Sequence, residues 1–198
     1  CETVMSDEFL HLLIANACLY SWYFNYMPVG ADADVSLIPT IKQREYMIRR
    51  IREIRSPASP KQIFVMDFQN DGEYVGGCIA GGRNYCHINA NGDVEPCVFI
   101  HYSSANIKNQ TLLEALQQPL FMAYHDGQPF NKNHLRPCPM FENPELLEAM
   151  VKKTGAKSTD LEAPESAEQL CGKCKEYAKA WAPEAQRIWD SQPKHHAQ

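Results

Sequence analysis

The stretch Gly76-Gly77-Cys78-Ile79-Ala80-Gly81-Gly82-Arg83-Asn84-Tyr85-Cys86-His87-Ile88-Asn89-Ala90-Asn91-Gly92-Asp93-Val94-Glu95-Pro96-Cys97-Val98-Phe99 carries most of the information in this chain. Asn91-Gly92 is a strong two-residue hairpin signal, so Tyr85–Ala90 and Asp93–Phe99 are expected to be antiparallel strands. Thirteen residues separate Cys78 from Gly92 and four separate Gly92 from Cys97. Folding the second strand back lets Cys97 approach the glycine-rich loop that carries Cys78. Glycines there allow backbone to come close to a bulky inorganic ligand. Two thiolates from one hairpin are half of a tetrahedral or cubane site.

Four more cysteines extend the set. Cys86 alternates with Tyr85 and His87 along the first strand, where it could ligate or simply pack. Cys138 lies in the rigid Arg136-Pro137-Cys138-Pro139 loop. Cys171 and Cys174 are spaced to share one face of the last helix. A hairpin pair, Cys78 and Cys97, plus a helix pair, Cys171 and Cys174, would close one site, with Cys138 and Cys86 as further candidates. The long span from Cys97 to Cys171 is no obstacle, because loop-closure cost grows slowly with length. Cys1 and Cys18 have no partner at ligand spacing and are expected to be structural.

Composition narrows the function classes. The 198 residues are 44% apolar and 22% charged, ordinary values for a folded chain. A net charge of −5 argues against nonspecific nucleic-acid or anionic-membrane binding. The basic run Lys42, Arg44, Arg49, Arg50, Arg52, Arg55 reads as the solvated side of one amphipathic helix. No secretory signal is legible near Cys1, and many cysteines without one favour metal ligation over disulfides and a reducing, cytoplasmic setting. Phe9–Ala31 carries no Asp, Glu, Lys or Arg, but its polar residues, Pro28 and Gly30 break it. It is expected to be a buried helix and a buried strand rather than a membrane span.

Helix-start patterns occur at Ser6, Thr40-x-x-Gln43, Thr111-x-x-Glu114 and Ser166-x-x-Gln169. Pro119 is expected to end the third of these helices. A further helix is bracketed by Asn143-Pro144 and Gly155. Strands are expected at Leu19–Met27 and Ile63–Phe68. Residues 1–71 thus alternate helix and strand, as in a parallel α/β sheet, and residues 72–198 read as a hairpin plus helices, cysteine-rich. The first unit cannot close a barrel by itself. Its open sheet edge implies either a fragment of a larger domain or pairing with another chain, a second copy included.

The pattern Cys-x13-Gly-x4-Cys with later cysteines resembles the SPASM or shorter twitch extension of radical S-adenosylmethionine enzymes. Trp22–Gly30 resembles a late strand of the radical SAM barrel and Ile63–Asp67 the strand after it. The fold implied is a partial parallel βα barrel at 1–71, followed by the cluster-binding domain at 72–198. The resemblance implies an auxiliary 4Fe–4S cluster on these cysteines. It also implies that the intact parent is an enzyme that binds S-adenosylmethionine and abstracts hydrogen from a peptide or small-molecule substrate. The family's Cys-x3-Cys-x2-Cys motif is absent from this sequence, as is the Cys-x2-Cys-x5-Cys-x3-Cys run of the full SPASM pattern. One auxiliary cluster is therefore expected, and this chain alone should not cleave S-adenosylmethionine. A structural zinc site is the alternative, since four thiolates suit zinc as well. Weaker candidates are His87 and His101 as ligands, and Asp67 with Asn70-Asp71 at the C-terminal end of a strand, where α/β sheets bind ligands. His195-His196 read as a polar tail.

Overall fold

The computed structural model describes residues 1–191 of the chain; His195-His196 lie outside the described residues. The N-terminal unit contains α1 (Asp7–Ala15), β1 (Tyr20–Tyr23), α2 (Ile41–Arg55) and β2 (Phe64–Asp67). β1 and β2 pair in parallel, Tyr20 opposite Phe64 through Tyr23 opposite Asp67, with α2 as the crossover. The expected alternation is present as one β-α-β unit; closure into a barrel is not seen among the described residues. Both the Ser6 cap and the Thr40–Gln43 capping box form as the pattern predicts.

β1 is shorter than the expected Leu19–Met27, because β2 offers partners only along four residues. Nor is it buried. Val65 and Tyr23 face α2, packing with Met47, Ile51 and Ile54. The opposite face leaves Tyr20 64% and Phe64 57% exposed, with Trp22 also exposed. Apolar alternation alone could not tell which face the rest of the chain would cover. α1 likewise buries only Leu10 completely.

Beyond β2 come α3 (Gly72–Val75), the hairpin β3 (His87–Ile88) and β4 (Val94–Glu95), β5 (Tyr102–Ser103), α4 (Leu112–Ala115), α5 (Pro119–Gly127), α6 (Pro144–Thr154), β6 (Lys157–Ser158), α7 (Ala167–Gly172) and α8 (Lys175–Ser191). The hairpin turns at Asn91-Gly92, where Gly92 takes φ 88°, but its ladder is two residues long. Val94 donates its N–H to Ala105 instead, and Asp93 pairs with Asn106, so β4 divides its hydrogen bonds between two neighbours. The capping boxes at Thr111 and Ser166 are both present.

Three helix boundaries differ from the expected ones. Pro119 does not end α4, which stops at Ala115; it is the first residue of α5, where its missing N–H costs nothing. The last helix is two helices. α7 stops at Gly172, a poor helix former, and Cys174 donates to Cys171 in a tighter turn before α8 begins. Gly155 terminates α6 in the left-handed conformation as expected, but Asn143 does not cap it with its side chain. That amide donates instead to the carbonyls of Arg136 and Cys138.

The basic face of α2 also differs from expectation. Arg44 is fully buried, and Arg50, Arg52 and Arg55 pair with Asp7, Glu73 and Asp71. Side-chain length lets these arginines reach carboxylates on neighbouring elements, which period alone cannot show. Ile48 of α2 packs with Leu135, Trp181, Ala185 and Ile188, so the core runs across the Asp71-Gly72 junction. No helix among the described residues is long and apolar enough to cross a membrane.

Candidate metal centre

Three cysteines from three separate loops line one cavity of about 170 Å³. Cys78 follows α3, Cys97 follows β4, and Cys138 precedes α6. The cavity lies at the C-terminal end of β2, with Asp67, Phe68 and Trp22 on its sheet side. Its walls are mainly apolar, and its size is that of a cavity that holds a benzene-sized guest.

Each loop is held by its own hydrogen bonds. Arg83 donates to the carbonyls of Val75, Gly76 and Cys78 at 2.7–3.1 Å, fastening the Cys78 loop. Gly81 N–H donates to the Pro96 carbonyl at 3.0 Å, which draws that loop against Cys97. Gly81 takes φ +69° and lies so close to Tyr124 that an added Cβ would come within 2.4 Å of the tyrosine Cβ. Val98 N–H donates to the Tyr85 hydroxyl at 2.7 Å, and Ile100 N–H closes a turn onto the Cys97 carbonyl.

The Cys138 loop is the most elaborate. Its sulfur accepts from the N–H groups of Met140 (3.4 Å) and Phe141 (3.3 Å). Its own N–H donates to Glu142 at 2.8 Å, and its carbonyl accepts from Asn143. The Glu142 carboxylate receives Arg44 of α2 at 2.6 Å, both side chains fully buried. Arg44 also donates to Asn70, which donates to Asp67, and it stacks 4.2 Å from the Trp181 ring centroid. Burial opposes the guanidinium charge, but Glu142 and Tyr177 together outweigh it and hold Arg44 above its ordinary pKa. A chain of buried polar contacts therefore runs from the end of β2 to the Cys138 loop.

Cys171 and Cys174 are completely buried in the same apolar core as these three, at the junction of α7 and α8. They do not line the cavity. Cys86 lies elsewhere, packed with Val94, Ala105, Ala115 and Phe121. Cys1 and Cys18 pack against the N-terminal core. His87 stands 3.8 Å from Glu95, and the His101 ring contacts the Val98 carbonyl, so neither reaches the cavity. Asp67 is raised by burial and is satisfied by Asn70; Asp71 binds Arg55. The hairpin pair was legible from the Cys–Gly–Cys spacing. Tyr124, which also lines the cavity, carried no sequence signal that distinguishes it from a core tyrosine.

All eight cysteines are free. Among the described residues, no three His, Cys, Asp or Glu side chains are grouped closely enough to hold a single metal ion. Burial raises the thiols from an ordinary 9.0 to about 12 for Cys78, Cys171 and Cys174 and to about 11 for Cys97, and Cys138 is raised as well. In the unfolded chain these thiols ionise near pH 9, before the folded ones do. Their contribution to stability is thus fully present below about pH 9 and lost as pH rises through 11 to 12. The metal-free protein is expected to melt at a lower temperature at pH ~10.5 than at pH ~8. An unchanged melting temperature in a thermal scan would contradict these buried, protonated thiols.

Residues 78–140 match the SPASM family, an iron-sulfur cluster-binding domain. The matched segment holds Cys78, Cys86, Cys97 and Cys138 and covers about a third of the chain. Searches of the curated proteins and of the solved structures returned no significant match.

Proposed function

From the SPASM match over residues 78–140 we propose that this chain holds one auxiliary 4Fe–4S cluster of a radical S-adenosylmethionine enzyme. The observation that carries the reading is the cavity into which Cys78, Cys97 and Cys138 are delivered by three hydrogen-bonded loops. The donor set fits the group: soft thiolates, an apolar wall, backbone N–H groups already aimed at the Cys138 sulfur, and a buried tyrosine hydroxyl with no partner. The Cys171–Cys174 turn, in the same core, supplies the fourth thiolate. Cys86 takes no part.

A bound cluster supplies one-electron chemistry at a potential set by its surroundings. This chain's residues anchor it and exclude water. They also place it beside the C-terminal end of β2, where an α/β sheet presents its ligand site. Residues 1–71 would then be late β-α units of the radical SAM barrel, and residues 72–198 the cluster domain. The exposed Tyr20, Trp22 and Phe64 support this, since parallel sheets are normally covered on both faces. The substrate, peptide or small molecule, would meet the cluster at that cavity. A zinc site would need four ligands converging within ~2.3 Å of one ion, whereas these thiols surround a space.

Anaerobic reconstitution with ferrous iron and sulfide tests the reading. About four irons per chain, with a thiolate-to-iron absorption band, are expected. Uptake of zinc alone, or no bound iron, would refute it.

A further inference from the structure

Tyr124 is the one cavity-lining side chain whose place the fold does not explain. It stands on α5, completely buried, and its ring is locked in position. Gly81 packs against one side of it, and Phe130 meets it edge-on at 5.2 Å. At the end of this fixed ring the hydroxyl has no hydrogen-bond partner. A buried phenol ordinarily finds a partner, because an unpaired donor gives up its hydration with nothing in exchange. The ring shares the cavity wall with Cys78, Cys97 and Cys138. A rigid, neutral donor among sulfur acceptors is suited to a sulfur-rich guest. Hydrogen bonds to cluster sulfurs raise a cluster's reduction potential.

Building on the iron–sulfur reading, we propose that the Tyr124 hydroxyl donates a hydrogen bond to a sulfur of the bound cluster or of a thiolate that holds it, and so sets its potential. Tyr124 is a positioning residue: it is no ligand, and it acts on the metal through sulfur. The orphaned donor of the metal-free protein is thereby satisfied on loading.

Tyr124→Phe removes only the hydroxyl and keeps the ring on Gly81. Four measurements on the full chain, wild type beside variant, test the proposal. Metal-free Tyr124→Phe should melt no lower than metal-free wild type, since the hydroxyl has no partner to lose; a clear drop would overturn the proposal. After anaerobic reconstitution, both should hold equal iron; a folded variant that loads none would also overturn it, since one donor is not a ligand. A redox titration followed by electron paramagnetic resonance should show the variant's midpoint shifted to more negative potential. The iron–sulfur stretching bands in resonance Raman should shift on transfer to deuterium oxide less in the variant than in wild type. A loaded variant with unchanged midpoint and unchanged isotope sensitivity refutes the role of Tyr124 and leaves the cluster assignment standing. Wild type that takes up no iron refutes the cluster assignment itself.

Discussion

Arg44→Ala is expected to destabilise the protein by about 3–5 kcal/mol, the cost of leaving one partner of a buried ion pair alone. Glu142, completely buried, would lose its 2.6 Å partner, Asn70 and the Leu135 carbonyl would lose donors, and the stack on Trp181 would open. The loss should not be confined to α2. Glu142 also accepts the Cys138 N–H, so the loop that presents the Cys138 sulfur rests on the same carboxylate. Chemical denaturation measures the first effect, and iron content after reconstitution the second. Arg44→Lys keeps the charge but not the fork that serves Asn70, Leu135 and Glu142 together, and it should recover stability only in part. If Arg44→Ala falls within ~0.5 kcal/mol of wild type, as surface substitutions do, the buried network does not join α2 to the cysteine loop.

The second large effect concerns the cysteines. Cys78→Ala, Cys97→Ala and Cys138→Ala should each lose most of the bound iron, because each thiol comes from a different loop around one cavity and no other cysteine lines it. Cys86→Ala should keep wild-type iron, since Cys86 packs behind the hairpin. Cys18→Ala should cost roughly 1 kcal/mol in packing and leave iron unchanged. Iron and sulfide assays on anaerobically loaded variants decide the matter. Full iron in Cys138→Ala, with loss in Cys86→Ala, would put the site on the hairpin and not in the cavity.

The hairpin and its two cysteines were legible because their signals are local. Asn91-Gly92 permits the turn through backbone freedom at Gly92, and the spacing of Cys78, Gly92 and Cys97 follows from that turn. The four helix starts were legible for the same reason, since a capping side chain satisfies an N–H two or three residues away. The β-α-β alternation of residues 1–71 follows from periodicity, but β1 is not the buried strand that its apolar composition suggests. Period 2 shows that a strand has two faces and not which of them another element covers.

What the sequence by itself determined is therefore the set of local devices: the caps, the turn, the Cys–Gly–Cys spacing and the number of thiols. The tertiary structure alone decided which of those thiols share a space. Gly81 donates to Pro96 and so holds the Cys78 loop against the Cys97 loop, and Arg44, 98 residues from Glu142 in sequence, anchors the loop of Cys138. Cys86, only eight residues beyond Cys78, is turned to a different core. The break at Gly172-Lys173-Cys174 could not be read from the i, i+3 spacing, because a helix that continues and a helix that tightens and restarts carry the same pattern. Convergence on a site depends on which faces pack together, and that is fixed by the whole core at once and not by any short stretch of chain.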